Sequence, residues 1–297
     1  MGADKTKLMK IKNEFRGIIP KRRRDSHKGD YGRVFVLAGS VGMTGAAALC
    51  AQAVLLCGSG LVTLGIPESL NDIMEVKLTE VMTKPLPETI QRSLSLKALE
   101  EIIKFSDNCD VVAMGPGLSQ NPQTQKLVRR VVASLRKPMV VDADGINALA
   151  AKAELLIHAK AHLILTPHSG EMARVAGISV GDIQRERLRS ARAFAKRYRV
   201  TLVLKGHHSI VASPAGNSYV NKTGNPGMAT AGMGDILTGM LASFLGQEIE
   251  PFEAAKLAVY LHGLAGDLAA KEKGEASLIA SDVLGKLPEA IKLVGHK

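Results

Sequence analysis

From residue 33 onward the chain alternates short, continuously apolar runs with longer segments of helical periodicity. The runs are Arg33–Ala38, Leu61–Ile66, Asp110–Met114, Pro138–Asp142, His162–Thr166 and Thr201–Lys205. None shows the polar alternation of a strand with one wet face, so each reads as a strand of a parallel sheet covered on both sides. Helical patterns fill the intervals at Thr44–Cys57, Leu94–Phe105, Thr124–Leu135, Gly170–Ala176, Asp182–Tyr198, Asp235–Leu245 and Phe252–Lys271, and Ser281–Ile291 closes the chain. This order predicts an α/β fold of the doubly wound kind, a three-layer α/β/α sandwich with a mostly parallel central sheet. Between Ser209 and Asn221, Ile210-Val211 and Tyr219-Val220 flank Pro214-Ala215-Gly216-Asn217, which predicts a hairpin and an antiparallel edge.

With 297 residues, 46% of them hydrophobic, the chain has material for one large core. We expect a single domain over 26–297 after a basic extension over 1–25. The extension is where the net charge of +11 concentrates, since residues 1–28 hold ten Lys/Arg against three acids. Aromatic residues make up 3% and tryptophan is absent, so bases would find few stacking platforms and a specific nucleic-acid partner is not expected. The extension reads instead as a solvated arm. No apolar run approaches the ~18 residues of a membrane span, and the basic start lacks the apolar core of a secretory signal. These features predict a soluble, cytoplasmic protein with no membrane partner. Cys50, Cys57 and Cys109 form no metal-binding spacing and are expected to be free, buried thiols.

Ligands of open α/β sheets bind beyond the carboxyl ends of the strands, and every unusual polar cluster of this chain falls there. The most informative is Asn225-Pro226-Gly227-Met228-Ala229-Thr230-Ala231-Gly232-Met233-Gly234-Asp235, which runs into an apolar helical segment. Backbone free of Cβ atoms at Gly232 and Gly234, at the positive end of a helix, predicts an anion cradle. A carboxylate at Asp235 would repel a resting phosphate, so it predicts a base acting on a group beside a phosphoryl group in transfer; the alternative is a plain helix cap. Lys205-Gly206-His207-His208-Ser209 supplies a cation, a flexible glycine and several donors suited to nucleotide phosphates. A metal on His207 and His208 is the poorer reading, because neighbours on an extended chain face opposite ways.

Four further clusters lie on the same rim. Gly39-Ser40-Val41-Gly42-Met43-Thr44-Gly45-Ala46 lacks dinucleotide-fingerprint spacing, and its small residues serve either ligand approach or packing. Gly115-Pro116-Gly117 is either bare backbone for a flat ligand or a structural turn. Asp142-Ala143-Asp144 either orients Mg²⁺ through water or caps the next helix. Thr166-Pro167-His168 places a histidine before a helix, where Glu171 is either a cap or part of a magnesium–phosphate network.

The ordered set His27-Lys28-Gly29-Asp30-Tyr31-Gly32-Arg33, Gly39-Ser40 with Gly45-Ala46, Gly115-Pro116-Gly117, Asp142-Ala143-Asp144, Thr166-Pro167-His168 with Gly170-Glu171, Lys205-Gly206 and the Asn225–Asp235 motif closely resembles the ADP/ATP-dependent NAD(P)H-hydrate dehydratases of the ribokinase fold. The resemblance covers about residues 25 to 290. It implies dehydration of the S-epimer of hydrated NADH or NADPH, coupled to cleavage of ADP or ATP with Mg²⁺, in a cytoplasmic homotetramer. It also implies roles at the matching positions. Asp235 would be the acid/base and touch the substrate, and Ala46, Gly117 and His168 would contact the hydrated dinucleotide. Lys205, Gly206, His207, His208, Ser209, Asn225, Gly232 and Gly234 would bind the nucleotide. Met233 departs from the pattern, standing where many relatives carry a small polar residue. The epimerase domain fused to some relatives is not expected here, which would leave the R-epimer to a separate epimerase or to spontaneous epimerisation. A hydroxymethyl kinase of the same fold is the nearest alternative, and a nucleotide-sensing or nucleic-acid-binding protein using the basic arm is the alternative from another class.

Overall fold

The structure is a computed structural model that describes residues 14–295. Nine strands form one sheet in the order β3-β2-β1-β4-β5-β6-β7-β8-β9. They are β1 Arg33–Leu37, β2 Leu61–Pro67, β3 Met82–Leu86, β4 Val111–Met114, β5 Met139–Val141, β6 Leu163–Leu165, β7 Thr201–Leu204, β8 Ile210–Ala212 and β9 Ser218–Val220. All neighbours from β3 through β7 are parallel, and β7, β8 and β9 are antiparallel, so the expected hairpin forms the far edge.

The helices are α1 Thr44–Leu56, α2 Asn71–Lys77, α3 Leu99–Ser106, α4 Pro122–Ser134, α5 Ala143–Leu149, α6 Ser169–Ala176, α7 Val180–Arg185, α8 Arg187–Tyr198, α9 Met233–Gly246, α10 Pro251–Lys273 and α11 Ala280–Val294. Successive side chains of a strand point to opposite faces, and the central strands use both. Val34, Val36, Val62, Leu64, Val111 and Ala113 join one apolar layer with α1, α9, α10 and α11, and Phe35, Leu37, Val112 and Met114 join the other with α3, α4, α5, α6 and α8. Buried side chains on both faces are what the continuous apolar runs required.

Three local departures have physical causes. Strand β3 was not expected because Met-Thr-Lys-Pro-Leu is polar and half exposed; as an edge strand it keeps one side free, where Pro85 costs no ladder bond. The helix expected over Asp182–Tyr198 is broken at Glu186, whose backbone is non-helical at φ −127° and ψ 46°. The expected helix from Leu94 begins as a 3₁₀ turn, Leu96–Ala98, which Ser95 caps through its hydroxyl.

Residues 1–13 of the basic extension lie outside the described residues, and the part that follows is anchored to the domain. Phe15 is fully buried, its ring 4.6 Å from that of Tyr260 on α10 and edge-on to Tyr219 on β9. Lys256 on α10 reaches Glu14 at 3.4 Å. The three cysteines are free and buried as expected. Among the described residues no helix is long and apolar enough to cross a membrane.

Candidate functional site

The glycine-rich motif is held open by helix α10. Asp267 accepts from the Gly224 amide and from Asn225 Nδ2, both at 3.0 Å, and Asn225 Oδ1 accepts from the Gly227 amide at 3.1 Å. The chain then turns through Gly232, at φ +91°, into α9, whose first turn has no side-chain cap. That leaves the amides and positive end of a fourteen-residue helix for a ligand. A Cβ on Gly232 would stand 2.7 Å from Leu49 Cδ1 and 2.8 Å from Ala280 Cβ, so glycine here answers both dihedral and space.

Beside this helix start lies a buried charge cluster. Lys205, at the end of β7, donates to Asp142 Oδ1 at 2.6 Å and lies 3.7 Å from Glu171 Oε2. The Thr238 hydroxyl, one turn into α9, donates to Asp142 Oδ2 at 2.8 Å. Asp142 and Glu171 are 1% and 5% exposed, so the single charge of Lys205 faces two buried carboxylates. Burial opposes the lysine's charge, but Asp142 and Glu171 outweigh it and the pKa is raised, keeping the ammonium charged. Its Nζ lies 3.4 Å from where a Gly234 Cβ would be, so the cation and the helix start face one point. Asp235 borders them. Burial, reinforced by Asp142 and eased by Lys205, raises its carboxyl to about 6, a value suited to a base working near neutrality.

A cavity of about 490 Å³ opens from this cluster. The Lys205–Ser209 loop forms one wall and residues 221–226 the other, while Met228, Leu237 and Val259 supply apolar surface. Lys205, Gly206, His207, His208, Ser209, Asn225 and Gly234 all border it, and Gly232 packs behind the helix start instead. The size and the mixed lining suit a small organic anion with a flat apolar part.

A profile of the carbohydrate-kinase-like family described as NAD(P)H-hydrate dehydratase matches residues 34–289. The chain belongs to the NAD(P)H-hydrate dehydratase family. It is 46% identical over 277 residues to a bifunctional NAD(P)H-hydrate repair enzyme of Moorella thermoacetica, covering 93% of this chain and 52% of that protein. Thus it spans about half the length of the bifunctional relatives it matches. It is 35% identical to an ADP-dependent (S)-NAD(P)H-hydrate dehydratase of Neisseria meningitidis, over 95% of this chain and 92% of that one. Among solved structures, the ADP/ATP-dependent NAD(P)H-hydrate dehydratase of Bacillus subtilis co-crystallised with ATP/Mg²⁺ superposes with a TM-score of 0.83 at 31% identity, covering 95% and 97% of the two chains. The fold is the ribokinase-like one that the resemblance implied.

The remaining positions matched to the dehydratase family occupy the same rim but not the cavity. Gly117, after β4, is buried against the start of α1: a Cβ on it would stand 2.7 Å from Met43 Cβ and 3.3 Å from Ala46 Cβ. The Ser40 hydroxyl donates to its carbonyl at 2.8 Å. His168, after β6, is half exposed and caps α6, its Nδ1 accepting from the Gly170 and Glu171 amides at 3.0 and 3.2 Å. Glu171 accepts from the His168 amide at 2.8 Å and faces Lys205 as well, so the expected cap is also part of the charge cluster.

Two readings of the rim change. Asp142 makes no side-chain cap to α5; its oxygens are taken by Lys205 and Thr238, and Asp144 accepts from the Ser119 amide at 2.9 Å. His207 and His208 do not diverge: His208 is left-handed at φ +53°, and the two rings lie 3.8 Å apart. Among the described residues no group of three His, Cys, Asp or Glu is placed to hold a metal. Thr238 was missed, although a hydroxyl three residues after Asp235 in an otherwise apolar helix is a readable signal.

Proposed function

We propose that this chain dehydrates the S-epimer of hydrated NADH or NADPH and couples the reaction to cleavage of ADP to AMP and phosphate, or to ATP cleavage. The observation that carries this reading is the convergence, on the cavity wall, of the Lys205 ammonium and the uncapped helix start at Gly234, whose first turn bears Asp235. The nucleotide lies in the cavity between Lys205–Ser209 and Asn225, its terminal phosphate against Gly234 and Lys205. The hydrated ring lies on the rim by Ala46, Gly117 and His168. Asp235 takes the proton of the ring hydroxyl as its oxygen attacks the terminal phosphorus, and AMP or ADP leaves. Phosphate is a far better leaving group than hydroxide. It departs with the carbon–oxygen bonding pair, and loss of a proton from the adjacent ring carbon re-forms the double bond. The protein's part is positioning and charge neutralisation.

With Asp142 engaged by Lys205 and Thr238, the residues fit a hydrated Mg²⁺ carried on the nucleotide phosphates and not one caged by protein. Bound there, the ion would neutralise phosphate charge. We assign the enzyme to the cytoplasm as a homotetramer, and exposed Ile73 and Val76 beside the β3 edge offer apolar surface for assembly; sedimentation of the purified protein tests this.

The test of function is incubation with hydrated NADH, Mg²⁺ and either ADP or ATP, following the near-ultraviolet absorbance of the reduced ring. Recovery that requires nucleotide supports the reading and names the phosphoryl donor. No recovery with either nucleotide overturns it, and a stable phosphorylated product from a hydroxymethyl substrate would favour a kinase.

A further inference from the structure

Arg187 is a half-buried cation whose charge no carboxylate answers among the described residues: it appears in none of their ion pairs, and burial lowers its pKa. It also opens α8, immediately after the break at Glu186, where the positive end of a helix disfavours a guanidinium. Its bonds explain why it is kept there. Nη2 donates to the carbonyls of Leu204 and Lys205 at 3.2 and 3.4 Å, and Nη1 donates to the Ser169 hydroxyl at 3.4 Å. Leu204 and Lys205 lead into the loop that walls the cavity; Ser169 opens α6 beside His168. Gly206 accommodates the group, since a Cβ there would stand 2.9 Å from Nη1 and 3.2 Å from Nη2. The same two loops are also joined by the Lys205 amide donating to the Pro167 carbonyl at 2.8 Å and by the Lys205 ammonium facing Glu171 at 3.7 Å.

We propose that Arg187 is a positioning residue that locks the Lys205–Ser209 loop to the His168 loop, so that occupancy of the nucleotide cavity and occupancy of the dinucleotide rim are coupled. Resting on the functional reading above, this adds a mechanism by which one ligand prepares the site of the other. The lock works because the planar guanidinium bonds both loops at once from a fixed fork. A point charge on a flexible stem, as in lysine, holds one loop at a time. Coupling of two sites is reciprocal and measurable as a ratio of affinities.

The experiment measures the Kd of ADP by calorimetry with and without saturating NADPH, the product of the proposed reaction, in the full-length protein and in Arg187→Met, Arg187→Lys and Ser169→Ala. The wild type is expected to show a several-fold difference, Arg187→Met a ratio near one, and Arg187→Lys and Ser169→Ala intermediate ratios. In turnover, Arg187→Met is expected to raise KM for both ligands several-fold with kcat nearly kept. A wild-type ratio of one overturns the proposal, as does a ratio unchanged in Arg187→Met that melts like the wild type. If Arg187→Met does not fold, Ser169→Ala decides, and an unchanged ratio there overturns the lock. Binding of neither ligand to the wild type defeats the functional reading itself, an outcome distinct from binding without coupling.

Discussion

At the scale of the residue, the proposed chemistry rests on Asp235 and the two glycines before it. Burial raises the Asp235 carboxyl from 3.8 to about 6. In the folded chain it therefore holds a proton between about pH 4 and 6 that the unfolded chain has released. Its contribution to stability is complete below the unfolded pKa and is lost as pH rises through the folded one. Above pH 6 the charged form stands as a net cost on the order of 3 kcal/mol. Asp235→Asn should thus abolish turnover yet raise Tm at neutral pH, with the gain vanishing below about pH 4; thermal melts across pH test both signs. Wild-type kcat/KM should climb through about pH 6 and level off, since the base acts ionised. The glycines separate fold from site. Gly234→Ala meets only ordinary contacts, 3.4 Å to Lys205 Nζ and 3.5 Å to Asp142 Oδ2, so it should leave Tm nearly unchanged while raising nucleotide KM at least tenfold. Gly232→Ala combines φ +91° with contacts under 3 Å and should cost about 2–3 kcal/mol, seen as a lower denaturation midpoint. The helix start that bears Asp235 was legible in the sequence because glycines precede it. The partner of Asp142 was not, because Lys205 lies sixty-three residues away and only the sheet order brings them together.

At the scale of the element, the strands buried on both faces could be read from their unbroken apolar character, which leaves a parallel sheet as the consistent outcome. Strand β3 escaped because an edge strand needs no such character, and the break between α7 and α8 escaped because no glycine or proline marks it. The packing of α1 against α9 was also invisible. A Cβ on Gly239 would stand 2.2 Å from the Cys50 carbonyl oxygen, so Gly239→Ala must push the two helices apart. The expected cost is about 2–3 kcal/mol by chemical denaturation. Because α9 carries Gly234 and Asp235, kcat/KM should fall with it. Wild-type kinetics in a destabilised Gly239→Ala protein would show that the helix start is positioned independently of this seam.

At the scale of the whole molecule, one sheet gathers the carboxyl ends of β1, β4, β5, β6 and β7 and the start of α9 on a single rim, which is why clusters two hundred residues apart in the chain meet. The N-terminal segment contributes at the far edge of the sheet, where Phe15 lies buried between Tyr219 and Tyr260. Its high charge hid this, because a single aromatic in a basic stretch carries no periodicity. Phe15→Ala should cost about 3–4 kcal/mol, measured from the denaturation midpoint. In the proposed reaction the hydroxyl lost from the hydrated ring leaves as part of phosphate, with Asp235 as the base. The most direct measurement places a heavy-oxygen label in that hydroxyl, runs the reaction with the supporting nucleotide, and analyses the released phosphate by mass spectrometry. One label per phosphate is the predicted result, with no labelled phosphate from Asp235→Asn; label appearing in water with unlabelled phosphate would contradict the mechanism.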